Sequence, residues 1–267
     1  MNIDLRELVI REEEKGFDHS HAGSLVAQEL ILSKIAHSRL RDSITLKGGV
    51  VMFHKSNNAR RATIDMDIDV IRYSIAPKSI DAFIHALNFA DDGVRIVREG
   101  KIEKLKQEDY QGCRVHLVLK DKKGFQVPLK MDIGVHTLSA ITQESDSYFI
   151  DAVGEKVTLL TNPNEQIFGE KILSLLRHGV ASTRYKDIGD MYFFVARNLL
   201  DKAKVKRFLL LCLPTPNASS LEDVYLRISE TFENPVFSEL ASTSALLWTE
   251  ANYETMTKEI LLFLDQL

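Results

Sequence analysis

Cysteine is scarce in this sequence: Cys113 and Cys212 are the two present. Their separation fits neither a disulfide framework nor the paired spacing of a zinc site, so both staples are excluded and two buried thiols are expected. Proline and glycine are also few, six and thirteen in 267 residues, which excludes collagen-like and low-complexity architectures. No apolar run reaches the length of a membrane span, and residues 1–14 are too charged for a secretory signal. The expectation is a cytoplasmic protein with no membrane partner. A basic excess is missing too: 34 Lys and Arg face 38 Asp and Glu, for a net charge of −4. Blanket attraction to nucleic acid is thereby excluded, because a protein living on phosphate contacts carries the opposite balance.

What remains is ordinary for a globular chain, 45% hydrophobic and 27% charged, and long enough for one large or two modest domains. Residues 1–42 read as helical, with Leu25, Val26, Leu30, Ile31 and Ile35 at helical intervals. The pattern changes at Ile44: a short strand over 44–46, a Gly-Gly turn, a short helix to about His54, and an alternating strand over 64–71. A helix follows over 79–89, then extended runs over 94–104, 113–119 and 125–135, divided by Tyr110-Gln111-Gly112 and Lys122-Lys123-Gly124. Residues 139–162, polar and irregular, read as a crossing segment. Beyond Pro163 the spacing predicts helices over 165–177, 186–199, 202–213, 221–232 and from 252 onward. A mixed sheet carrying helices on one side, followed by an all-helical half, is the expected architecture.

The chemistry concentrates in Asp65-Met66-Asp67-Ile68-Asp69. Alternation along a strand puts the three carboxylates on one face and Ile64, Met66, Ile68 and Val70 on the other. Neighbours two apart on one face lie about 7 Å from each other, so their repulsion calls for a cation, and hard divalent ions answer with oxygen ligands. A polar face meeting water is the plain alternative, although aspartate is depleted in strands. Just upstream, Lys47, Lys55, Arg60 and Arg61 lie in a stretch without any acid, and Gly48-Gly49 opens a helix where backbone N–H groups can approach a phosphate. The alternative for the glycines is a tight strand-to-helix turn. Asp132 interrupts the apolar run Val127 to Val135, a costly place for a lone carboxylate. Beside the 64–71 strand it completes a three-carboxylate cluster and is a candidate general base.

In the helical half, Lys171 begins an apolar stretch, while Arg184, Lys186, Asp187 and Asp190 open the next helix. A capped, charge-rich helix start accounts for them, and so does a role in nucleotidyl transfer. Lys171 and Arg184 would then meet charge on a departing pyrophosphate, and Asp187 would orient Lys171 or contact the acceptor.

Taken in order, several elements resemble the AbiEii nucleotidyltransferase-like family, the toxins of type IV-like toxin–antitoxin and abortive-infection systems. They are Lys47-Gly48-Gly49, Arg61-x-Thr63-x-Asp65-x-Asp67, Lys130-x-Asp132-Ile133-Gly134, Glu165 with Glu170-Lys171, and Arg184-x-Lys186-Asp187-x-x-Asp190. The resemblance implies an α+β fold: a polymerase-beta-like nucleotidyltransferase mixed sheet with helices over residues 1–150, then an all-helical C-terminal domain over 151–267. It implies Asp65, Asp67 and Asp132 as metal ligands, and Lys171 and Asp187 as further catalytic residues. Lys47, Gly48, Gly49, Arg61, Thr63 and Arg184 are expected at the nucleotide. Magnesium, or manganese in its place, is the implied cofactor and a nucleoside triphosphate the substrate. The acceptor is expected to be RNA, at the 3′ end of tRNA, and a cognate antitoxin is an expected partner. Asp69 adds a carboxylate outside the family's pair and leaves open which two form the working pair. Transfer to a protein or small molecule, and a non-catalytic module that keeps the fold, stand as alternatives.

Overall fold

The computed structural model of the protein describes residues 2–89, 92–105, 112–136 and 140–267. The chain divides into two compact units, Met1–Asn162 and Pro163–Leu267. The first contains α1 (Leu5–Glu14), α2 (His19–Ala36), β1 (Ile44–Lys47), α3 (Gly48–Ser56), β2 (Met66–Val70), α4 (Pro77–Leu87), β3 (Val94–Lys104), β4 (Gly112–Asp121), β5 (Gln126–Val135), β6 (Glu144–Ile150) and β7 (Glu155–Thr161). The strands form one mixed sheet in the order β3-β4-β5-β2-β1-β7-β6.

At its centre β1 and β2 pair antiparallel, while each takes a parallel neighbour from far along the chain, β7 beside β1 and β5 beside β2. Met66, Ile68, Met131, Ile133, Val115 and Leu46 form one buried face, as the period of two requires of strands with a single covered side. Helix α2 packs along that face against β5, β6 and β7, with α1 on its outer side. Its residues from Ala22 to Ile35 are buried almost throughout, which explains why it is apolar on all sides rather than along one stripe. Side chains of Asp4 and Asp18 cap α1 and α2 by accepting from backbone N–H groups of the first turn.

The second unit contains α5 (Asn164–His178), α6 (Tyr185–Ala196), α7 (Lys202–Cys212), α8 (Leu221–Glu233), α9 (Pro235–Ser242) and α10 (Tyr253–Leu264). Phe168 of α5 meets Phe263 of α10 edge-on at 5.3 Å, and the Tyr253 hydroxyl donates to the Phe232 carbonyl at 2.8 Å. The fold is thus an α+β sheet unit followed by a helical unit, as expected.

Three local expectations need correction. Residues 144–161 are not a crossing segment but an antiparallel pair, β6 and β7. Tyr148, Ile150, Val157 and Leu159 alternate inward there, and polar neighbours outnumber them enough to mask the period. Strand β2 begins at Met66, so Ile64 and Asp65 precede it and Ile64 is exposed instead of joining the apolar face. Helix α9 was not expected; Pro235 at its first turn and the Asn234 cap start it directly after α8. Of the turn read at Tyr110-Gln111-Gly112, Tyr110 and Gln111 lie outside the described residues.

Candidate active site

The polar face of the sheet is built from residues opposed across its strands. Lys47 pairs in register with Asp67, Asp67 with Asp132, Asp132 with Arg114, and Arg114 with Glu103. Directly opposed residues share a face, so five charged side chains stand in one row across β1, β2, β5, β4 and β3. Asp67 and Asp132 are immediate neighbours in that row. The sequence anticipated both carboxylates, and the parallel β2–β5 pairing brings them together.

Helix α3 begins where the row meets β1. Gly48 is its first residue, at φ +64°, and a Cβ there would fall 2.5 Å from Asp67 Oδ2. A Cβ on Gly49 would lie 2.7 to 2.8 Å from the side chain of Thr63. The two glycines therefore allow the Asp67 carboxylate and Thr63 to sit directly against the start of the helix, where unpaired N–H groups favour an anion. Arg61 is buried in a single 3-10 turn, Ala59–Arg61, leading to this point.

Gln28, which the sequence reading did not single out, fixes the approach to the strand. From the buried helix α2 its amide donates to the Thr63 carbonyl at 2.8 Å and more weakly to that of Asp65 at 3.4 Å. A lone glutamine in an apolar helix was the available signal, because a buried amide must find partners.

Each of three acidic positions carries a cation from the protein itself. Lys130 Nζ lies 2.8 Å from Asp65 Oδ1, and Lys47 Nζ lies 2.7 Å from the buried Asp69. Arg114 grips Asp132 with both arms of its fork, Nε to Oδ1 at 2.7 Å and Nη2 to Oδ2 at 2.8 Å. Those hydrogen bonds raise the Arg114 guanidinium above its already high value. Asp69, which the sequence left open as a metal ligand, is thus tied to Lys47.

Asp65, Asp67 and Asp132 suit a divalent ion in kind, being hard oxygen donors, and Asp67 and Asp132 suit it in place. The pairing is another matter. Among the described residues no three His, Cys, Asp or Glu side chains are grouped to hold an ion, and Asp65 and Asp132 are each engaged by a basic side chain.

The helical unit has its own charged centre. Lys171 of α5, nearly buried, places Nζ 2.6 Å from Asp187 Oδ1 and 2.7 Å from Asp190 Oδ2 on α6. Asp190 is fully buried, and its other oxygen accepts from the Trp248 indole N–H at 2.9 Å. The sequence paired Lys171 with Asp187; Asp190 and Trp248 complete the group. Arg184 lines a small recess together with Lys171, Ser182 and Asp187. Glu165 has a structural post, accepting from the Asp201 backbone N–H at 3.0 Å.

The sequence matches the family described as nucleotidyl transferase AbiEii toxin, type IV toxin–antitoxin system, over residues 30–266. Comparison with curated proteins gives no match. Among solved structures, the chain is similar to an antigenic nucleotidyltransferase-like protein from Paracoccidioides brasiliensis. The identity is 17% and the TM-score 0.47, with 82% of this chain and 92% of that chain covered.

Proposed function

The chain belongs to the AbiEii nucleotidyl transferase toxin family, and from that premise we propose that it moves a nucleotide from a nucleoside triphosphate to an RNA hydroxyl, at the 3′ end of a tRNA. Pyrophosphate is released, and the product is an RNA disabled in translation. The observation that supports this reading is the row in which Asp67 and Asp132 stand side by side, with the diglycine start of α3 against Asp67.

In this reading Asp65, Asp67 and Asp132 hold the divalent ion, magnesium or manganese. Bound there, it would polarise the phosphoryl oxygens and offset charge on the leaving group. The backbone N–H groups at Gly48 and Gly49 receive triphosphate oxygens, with Lys47, Thr63 and Arg61 flanking them. The acceptor hydroxyl attacks the α-phosphorus as the bond to pyrophosphate breaks, and its proton passes to Asp132 or to solvent. While Arg114 occupies both Asp132 oxygens, Asp132 is poorly placed to take that proton. Lys171, Asp187 and Arg184 enter on the family motif. By that motif Lys171 and Asp187 are catalytic, and Asp187 is the group that orients Lys171.

Incubating the protein with each labelled triphosphate, Mg²⁺ and total RNA, with and without ribonuclease, tests the proposal. Label is expected in RNA alone and lost on ribonuclease treatment. Label in protein or in small molecules would move the acceptor to those classes. Asp67→Ala should reduce incorporation to background while leaving the circular dichroism spectrum unchanged, and undiminished incorporation would overturn the site.

A further inference from the structure

Arg114 was absent from the sequence reading of the site and Lys130 entered it only within the Lys130-x-Asp132 motif, without a role, yet they occupy two of the three carboxylates that the proposed function assigns to a metal. They sit on the same face as those carboxylates. Arg114 stands directly opposite Asp132 in the β4–β5 register, and Lys130 lies two residues before Asp132 on β5. Both side chains are about one-third exposed, so each has open space to swing into. For Arg114 a second seat is at hand, because Glu103, whose carboxylate also faces the His116 ring at 3.4 Å, opposes it on the other side of the row.

We propose that Arg114 and Lys130 are built-in counter-ions that hold Asp132 and Asp65 until a divalent cation displaces them. The physical case is competition for the same lone pairs. Two like-charged carboxylates in adjacent strands repel, and an unpaired half-buried Asp132 would be costly. A bidentate guanidinium relieves both and keeps the oxygens aimed along the row. A divalent ion needs those same oxygens, so the two cations exclude each other at Asp132. Once displaced, Arg114 turns toward Glu103 or toward an incoming phosphate, to which its fork is equally suited. Arg114 is then a positioning residue in the metal-free protein and a phosphate contact in the loaded one.

This inference rests on the proposed function, and its test needs no turnover. Binding of Mn²⁺ alone would be followed on the full chain by the loss of the free-ion electron paramagnetic resonance signal, for wild type, Arg114→Gln, Arg114→Lys and Asp132→Asn. Arg114→Gln is expected to bind Mn²⁺ more tightly by about tenfold or more, since a charge-assisted pair no longer has to open. Arg114→Lys, which keeps the charge but loses the fork, should fall between, and Asp132→Asn should bind more weakly than wild type. Arg114→Gln should also melt earlier without metal and gain more in Tm from saturating Mn²⁺ than wild type does. Equal or weaker Mn²⁺ binding by both arginine variants overturns the inference. If wild type still incorporates nucleotide in that case, the proposed function stands without it. If no variant or wild type incorporates nucleotide, the functional reading fails, whatever the manganese affinities.

Discussion

Gly48 and Gly49 illustrate how tightly single residues are constrained at the start of α3. A methyl group on Gly48 must displace the Asp67 carboxylate and also holds a left-handed backbone. Gly48→Ala should therefore cost about 1 kcal/mol or more in stability and reduce nucleotide incorporation sharply. Gly49→Ala clashes with the Thr63 Cβ itself, so Thr63→Ser should not rescue it in a denaturation experiment. In the helical unit, Lys171→Met removes the cation that bridges Asp187 and the buried Asp190. A loss of about 3–5 kcal/mol is expected from a broken buried pair, read from the denaturant midpoint. Trp248→Phe removes one N–H to a charged oxygen and should cost about 2 kcal/mol. An unchanged midpoint would show that Asp190 does not depend on the indole. Carboxylates were legible at this scale because each breaks an apolar pattern. Arg114 was not, because a charged side chain on a half-exposed strand looks the same whether it meets water or a partner, and Trp248 was not, because nothing local marks a tryptophan between helices as the partner of Asp190.

At the scale of elements, α2 is both the most buried helix of the sheet unit and the one carrying an awkward acid. Burial pushes the Glu29 carboxyl up from 4.5 to about 7, against the Ala152 backbone N–H donating to it at 2.7 Å. Glu12 and Asp151 raise it further, and Lys15 lowers it. An acid whose folded value lies above its unfolded one holds extra protons when folded, so stability falls as pH rises between about 4.5 and 7. At about 1.4 kcal/mol per pH unit this comes to at most about 3.5 kcal/mol, less whatever solvent relieves. Glu29→Gln should thus raise the Tm at pH 8, leave it near wild type at pH 4, and flatten the profile between them. Apart from the eight-residue α9, the helices were read well from spacing, because a 3.6-residue apolar repeat over two or three turns is a strong signal. Strands β6 and β7 escaped because seven polar-rich residues give only three or four alternations. The early end of β2 escaped for another reason: Gln28 holds the backbone at Thr63 and Asp65 off the ladder, a tertiary contact that no local pattern announces.

For the whole molecule, the net charge of −4 limits how the proposed RNA acceptor can be held. With no basic excess, affinity should rest on few phosphates, so a plot of log affinity against log salt should have a slope of magnitude about 3 or less. A filter-binding series in potassium chloride would measure it, and a much steeper slope would show an extended phosphate track. Helical spacing beyond Pro163 was visible in the sequence, but the expected boundary at 150/151 falls between β6 and β7, whereas the compact units divide after Asn162. Strand β2 also sets an order of events. One of its edges is taken at once by its sequence neighbour β1, but the other waits for residues 131–135, and the flank of β1 waits for β7. Pairings between distant segments form late. A chain still emerging from the ribosome therefore carries Asp67 without Asp132, and the charged row across the sheet is complete only once β5 has closed onto β2.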